Sequence, residues 1–174
     1  RRSSDLIEGQ KAMAWHYDNG SGSGWANNTI TNMTITVAPR AGSPEIDLGQ
    51  TVLEISNSNI KCVLTYNTGE PEYVSSVQSS GVFSSTDGGT NIFEQSANTF
   101  GIIELEDADD SFGADTPVLN RGDMVMVCIN VTACFGGIET RSDVWGTILP
   151  EGGSLALFSF KIPGLGSDTV FDLY

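Results

Sequence analysis

Few residues in this chain of 174 have the type and spacing for chemistry, and those that do are carboxylates. Asp107-Ala-Asp109-Asp110-Ser111 is followed by Asp115 and then by Asn120-Arg-Gly-Asp123. Alternating Asp and Ser oxygens in a glycine-containing loop suit a hard cation such as Ca2+ or Mg2+. The segment lacks the full EF-hand loop with its closing bidentate Glu, so the match is partial. A solvated acidic turn, its side chains capping backbone N–H groups, has the same composition. Arg121-Gly122-Asp123 also spells an adhesion tripeptide. Gly122 more simply supplies a turn before an apolar strand, with Asn120 and Asp123 bonding to its backbone.

Catalysis is poorly provided for. His16 is the only histidine and stands beside Trp15 and Tyr17. There is no Gly-x-Ser-x-Gly elbow, no His-Glu-x-x-His helix and no phosphate loop. A glycosidase needs two carboxylates at a defined separation in a groove, which an abundance of acids does not supply. The chain therefore reads as a non-enzyme.

Cys62, Cys128 and Cys134 fit no common zinc spacing. Cys128 and Cys134 fall in one strand-like run, on one face but too far apart to bridge each other. Buried free thiols acting as small hydrophobes are the expectation, and a pairing of Cys62 with either is the alternative. Asn-x-Ser/Thr sequons stand at Asn19, Asn27, Asn32 and Asn130. As a set they favour an extracytoplasmic, glycosylated surface, although Asn130 lies inside a strand pattern and needs an exposed face.

The charge balance excludes some partners. Twenty-two acidic residues face 8 basic ones, a formal net charge of -14. Phosphate backbones are bound by clustered Lys and Arg, which are missing, so nucleic acid and anionic membranes are excluded as expected partners. No stretch approaches 18 apolar residues and no signal-peptide core opens the chain, so no membrane span is expected.

The elements that must position these residues are strands. Residues 1–24 are expected to be a linker, with one short amphipathic helical or irregular candidate over roughly Ser4 to Trp15 and a Gly/Ser run from Asp18. Residues 25–174 are expected to form the folded domain. Met33, Ile35 and Val37 alternate with Asn32, Thr34 and Thr36. Thr51–Ser56 and Ile60–Tyr66 form a pair joined by an Asn57-Ser-Asn turn. Residues 67–98 are polar, with weak strand signals at Tyr73–Val77 and Gly81–Ser84. Phe100–Leu105 leads into the acidic loop. Val125, Val127, Ile129 and Val131 line one face of a strand whose other face, Met124, Met126 and Cys128, is also apolar, which makes it central. Val144–Leu149, Ala156–Ile162 and Val170–Leu173 complete the series. The pattern predicts an all-β, antiparallel two-sheet sandwich or barrel, immunoglobulin-like in style.

An ordered series of residues resembles the archaellins, the filament proteins of the archaeal swimming organelle. In the C-terminal half these are Phe100-Gly-Ile-Ile, Asp107-Ala-Asp109, Pro117-Val-Leu-Asn-Arg-Gly-Asp123 and Ile129-Asn-Val-Thr-Ala-Cys-Phe135-Gly-Gly. Arg141, Val144, Ile148-Leu-Pro-Glu151-Gly-Gly, Phe158 to Pro163 and Val170-Phe-Asp-Leu continue it. Ile35-Thr-Val-Ala-Pro39, Ala41-Gly-Ser43 and Ile46-Asp-Leu48 carry it in the N-terminal half. It spans roughly residues 30 to 174, with gaps around 67 to 98.

The resemblance implies a structural subunit of a cell-surface motility filament, its partners being further archaellin subunits. It implies an outward β-sandwich attached to a long apolar N-terminal helix, glycans on Asn sequons, and a metal ion in the outer domain. Asp107, Asp109, Asn120 and Asp123 occupy the matching acidic loop and turn. The chain departs from the family in opening on Arg1-Arg-Ser-Ser without the helix. A domain of this charge without that helix is expected to stay monomeric and to form no filaments at neutral pH. The rival reading is an extracellular carbohydrate- or ligand-binding module that uses exposed Trp25, Tyr66, Tyr73 or Trp145.

Overall fold

The computed structural model describes residues 7–15, 29–68, 71–152, 154–164 and 170–173, with the backbone alone for 7–15. The described residues include nine strands of four or more residues: β1 (Ile7–Trp15), β2 (Asn32–Pro39), β3 (Val52–Ser56), β4 (Lys61–Tyr66), β5 (Thr99–Glu106), β6 (Met124–Asn130), β7 (Asp143–Leu149), β8 (Ala156–Lys161) and β9 (Val170–Leu173). They pair in the order β8-β7-β3-β4-β5-β6-β2-β1-β9. β5 belongs to both halves of this series. Its first residues, Thr99 and Phe100, run parallel to Thr65 and Tyr66 of β4, and Gly101 to Glu106 run antiparallel to β6. The chain thus folds as two sheets joined along one shared strand. This is the all-β, two-sheet architecture that the alternation predicts.

Period-two alternation explains why these segments are strands and which sides face inward. β4 and β8 are buried at every second residue: Cys62, Leu64 and Tyr66, then Ala156, Phe158 and Phe160. These meet Met33, Ile35, Val37, Val125, Val127 and Ile129 from the other sheet in one continuous core. Each fully buried Leu, Ile or Val contributes about 1.5–3 kcal/mol over its exposed state. The turn between β3 and β4 forms as its Asn predicts. Asn57 Oδ1 accepts from the N–H groups of Asn59 and Ile60 at 2.9 and 2.7 Å.

Gly146 of β7 faces the core where a side chain has no room. A Cβ there would collide with the Glu54 carbonyl oxygen and the Phe158 ring. The Glu54 carbonyl is backbone of a paired strand, so it cannot withdraw without breaking register. Gly146→Ala should therefore cost about 2–3 kcal/mol, read as a lowered urea midpoint. An unchanged midpoint would mean that the Glu54 carbonyl and the Phe158 ring do not close on this glycine.

The polar region 67–98 proves to be a cover. Phe83, Ile92 and Phe93 form a second core with Val74 on the outer side of the β5–β6 sheet, over Ile103, Met126 and Cys128. This is why the second face of β6 can be apolar, as the sequence requires of a central strand. The cover is tied down by Gln95, whose amide donates to the carbonyls of Pro71 and Ile92. Asn130 Nδ2 in turn donates to the Gln95 carbonyl at 2.9 Å.

Three expectations are corrected. Residues 7–15 are strand, not helix, and pair with β2 on one side and β9 on the other. A short isolated helix gains little, whereas two neighbouring strands take up the backbone hydrogen bonds on both sides. The boundary expected at 24/25 lies outside the described residues. Second, the apolar run through Val131 does not stay extended, because Val131–Phe135 is a short helix, α1. Asn130 Oδ1 caps it by accepting from Ala133 N at 3.0 Å, and Gly136, at φ 74°, ends it in the left-handed conformation. Third, the cysteines are not all free thiols. The turn into α1 carries Cys134 to Cys62 on β4, where they form a disulfide with Cα atoms 6.1 Å apart. Cys128 alone remains free, and burial pushes its thiol pKa up. Among the described residues no helix is long and apolar enough to cross a membrane.

Candidate functional site

The acidic loop lies where β5 ends and β6 begins, so two paired strands fix its two ends. It folds back on itself through side-chain acceptors. Asp107 Oδ1 accepts from Ser111 N at 3.2 Å, and its Oδ2 accepts from Phe112 N at 2.9 Å. Phe112 is thereby held in the core while the residues before it stay exposed. Asp110 at the crest takes φ 55°, a conformation that Asp tolerates better than most residues.

Asp123 closes the site from the other side. It is 2% exposed, and its Oδ2 accepts from Asn120 N at 2.7 Å while Oδ1 accepts from Ala108 N at 3.2 Å. One carboxylate thus joins the acidic loop to the turn before β6. Gly122, at φ 102°, makes that turn, and a Cβ on it would stand 2.7 Å from the Ala108 Cβ. Glycine here answers both a backbone demand and a close approach, and Arg121-Gly122-Asp123 is this turn.

Carboxylate oxygens of Asp107, Asp109 and Asp123 lie within 4.8 Å of one another. Asp123 is buried, Asp107 half-buried and Asp109 exposed, so the cluster opens outward. Asn120 reaches it through its amide nitrogen, which donates to both Asp109 oxygens at 3.1 Å and to Ser111 Oγ at 2.8 Å. The Ser111 hydroxyl, then the Asn120 amide, hold the Asp109 carboxyl below its ordinary pKa. All four residues expected from the sequence are therefore brought together. Asn120 stands here as a donor that aligns Asp109, and it would offer its oxygen once the amide is turned end for end. Three hard anionic donors, each keeping lone pairs beyond its backbone bonds, suit Ca2+ or Mg2+.

The other expected residues are scattered. Tyr66 is buried, and its hydroxyl donates to the Ala114 carbonyl at 2.9 Å. Tyr73 is half-buried and donates to Glu104. Trp145 alone of these is exposed, and Trp25 lies outside the described residues. Tyr66 and Tyr73 therefore offer no open stacking face for a sugar. Of the sequons, Asn19 and Asn27 lie outside the described residues. Asn32 is half-buried on β2. The Asn130 amide that a glycan would occupy is engaged with Gln95, and its oxygen caps α1.

A second acidic group went unnoticed in the sequence. Burial, then the charges of Asp87 and Asp115, push the Glu72 carboxyl pKa up. Glu72 N donates to Asp87 Oδ2 at 3.2 Å, a contact that the folding of the cover brings about.

The sequence profile described as archaeal-type flagellin matches residues 9–160. Flagellin B3 of Methanocaldococcus jannaschii is 36% identical over 160 residues, which cover 86% of this chain and 68% of that protein. Flagellin B2 of the same organism is 36% identical over 137 residues, covering 79% of this chain and 61% of that one. The chain thus spans about two thirds of the length of these relatives. Among solved structures, the crystal structure of archaeal flagellin FlaB1 from M. jannaschii matches with a TM-score of 0.70 at 25% identity, over 96% of this chain and 95% of that one.

Proposed function

We infer the role of this chain from its kinship: it belongs to the archaeal-type flagellin family. We propose that it is the outer β-domain of a structural subunit of the archaeal motility filament, exposed on the cell surface, with other subunits of the family as its partners. The profile match across residues 9–160 carries this reading. The Cys62–Cys134 bridge supports an exported location, since disulfides persist mainly in oxidising surroundings. A charge of -14 supports a surface that meets water and counter-ions rather than nucleic acid. Peptide mass spectrometry of filaments purified from the source cells should find this chain as a major component. Filaments lacking its peptides would sink the proposal.

We further propose that Asp107, Asp109 and Asp123 hold a structural Ca2+ or Mg2+, with Asn120 orienting Asp109 or adding its own oxygen. The cation would neutralise three converging carboxylates and fasten the loop after β5 to the turn before β6. A ligand that binds only the folded state stabilises it by about 2.7 kcal/mol at a hundred times its dissociation constant. EDTA should accordingly lower the melting midpoint by several degrees, and added Ca2+ or Mg2+ should restore it. A midpoint indifferent to both, with no metal in elemental analysis, would rule the site out.

A further inference from the structure

The two sheets differ in how their outer sides are treated. On one, Phe83, Ile92 and Phe93 cover the apolar residues of β5 and β6. The outer side of β8-β7-β3-β4 has no such cover among the described residues, yet its alternation breaks toward apolar residues. Leu155 and Leu157 stand at the β8 end, Trp145 and Leu149 on β7, and Val63 on β4, exposed by 46%, 70%, 43%, 37% and 47%. Register makes this one face. Leu157 lies across from Thr147, Thr147 from Glu54, and Glu54 from Val63.

We propose that this face is a subunit–subunit contact of the filament, packed against a second copy of this chain. The inference rests on the filament role proposed above and names the surface that the role uses.

Charge favours an identical copy as the occupant. Each copy carries -14, so most approaches between two copies are repulsive. On this face Lys61 pairs with Glu54 at 2.7 Å and Lys161 with Asp143 at 3.9 Å, and these charges cancel around the apolar rows. It is a neutral, greasy window in an acidic surface, where like-charged copies can touch. Five exposed apolar side chains on one paired face make a small contact, which suits a polymer, where each subunit repeats it and further contacts hold the same neighbours together.

The test uses the subunit as its own cells assemble it, with a benzophenone amino acid in place of Leu157. Illumination of purified filaments should yield a dimer of this chain, the adduct mapping to a second copy. Filaments that form normally but give no such dimer, or give adducts to a different protein, overturn the proposal while leaving the filament role intact. Finding no polymer that contains the unsubstituted chain overturns both. As a second variant, L155E with L157E brings like charges into the contact and should lower the fraction of subunit in sedimentable filaments about tenfold. Both residues are exposed, so the isolated domain should melt as before. Normal filaments from this variant would also overturn the proposal.

Discussion

Replacing Cys62 and Cys134 together by alanine lowers the stability of the domain by about 4 kcal/mol, and its melting midpoint by about 10–15 °C. The size follows from chain topology. The two residues are 72 apart in sequence, and closing so long a loop removes much of the freedom of the unfolded chain. The bridge also joins the α1 end of one sheet to β4 of the other, so without it two segments of the core are tied by packing alone. Thermal melts of the double variant, and of the unsubstituted chain under reductant, should show the same drop. A drop below about 1 kcal/mol in both would mean that the two cysteines contribute only as small core residues.

Asp123→Ala should cost about 3 kcal/mol with no metal present, because the Ala108 and Asn120 N–H groups each lose a partly buried acceptor. Asp123→Asn should recover part of that loss, since its one remaining oxygen can take one of the two N–H groups. In the presence of Ca2+ or Mg2+ the gap to the unsubstituted chain should widen, as the variant lacks the buried member of the carboxylate cluster. Melts run with EDTA and with excess cation separate the two contributions. An Ala variant as stable as its parent in EDTA would show that the loop and the turn are held together without Asp123.

The strands that were legible in the sequence share one property. Met33, Ile35 and Val37, or Cys62, Leu64 and Tyr66, bury one face and expose the other, so the pleat writes itself into the residue order. Residues 7–15 escaped that logic. Their short apolar pattern fits either period, and pairing with β2 and with β9, far along the chain, decides between them. The turn into α1 was hidden inside a continuous apolar run, although the signal was present. Asn130 followed by Gly136 is a start and a stop for a short helix, and it competed with the sequon reading of the same Asn130-Val-Thr. The disulfide was legible only as an alternative, a Cys62 bridge with its partner undecided, since spacing says nothing about which strands become neighbours. The cover was illegible for a different reason: Phe83, Ile92 and Phe93 are few, and they act only by landing on a surface formed elsewhere.

Of the acidic site, composition marked the whole run from Asp107 to Asp123, and the resemblance to the family narrowed it to Asp107, Asp109, Asn120 and Asp123. What composition could not distinguish is their separate work. Asp107 shapes its own loop, Asp123 bridges to a second segment, and Asn120 steers Asp109.

β1 lies between two antiparallel partners, registered against β2 along most of its length and against β9 over Ala12 to Trp15. Hydrogen bonds of such ladders run across the strand axis. Tension applied along β1 therefore loads these bonds sideways and together, rather than opening them one after another as a peeled edge would. A pull entering the domain through this strand is spread over both neighbours before any single bond yields. For a subunit of a filament, that is the difference between a riveted seam and a zip.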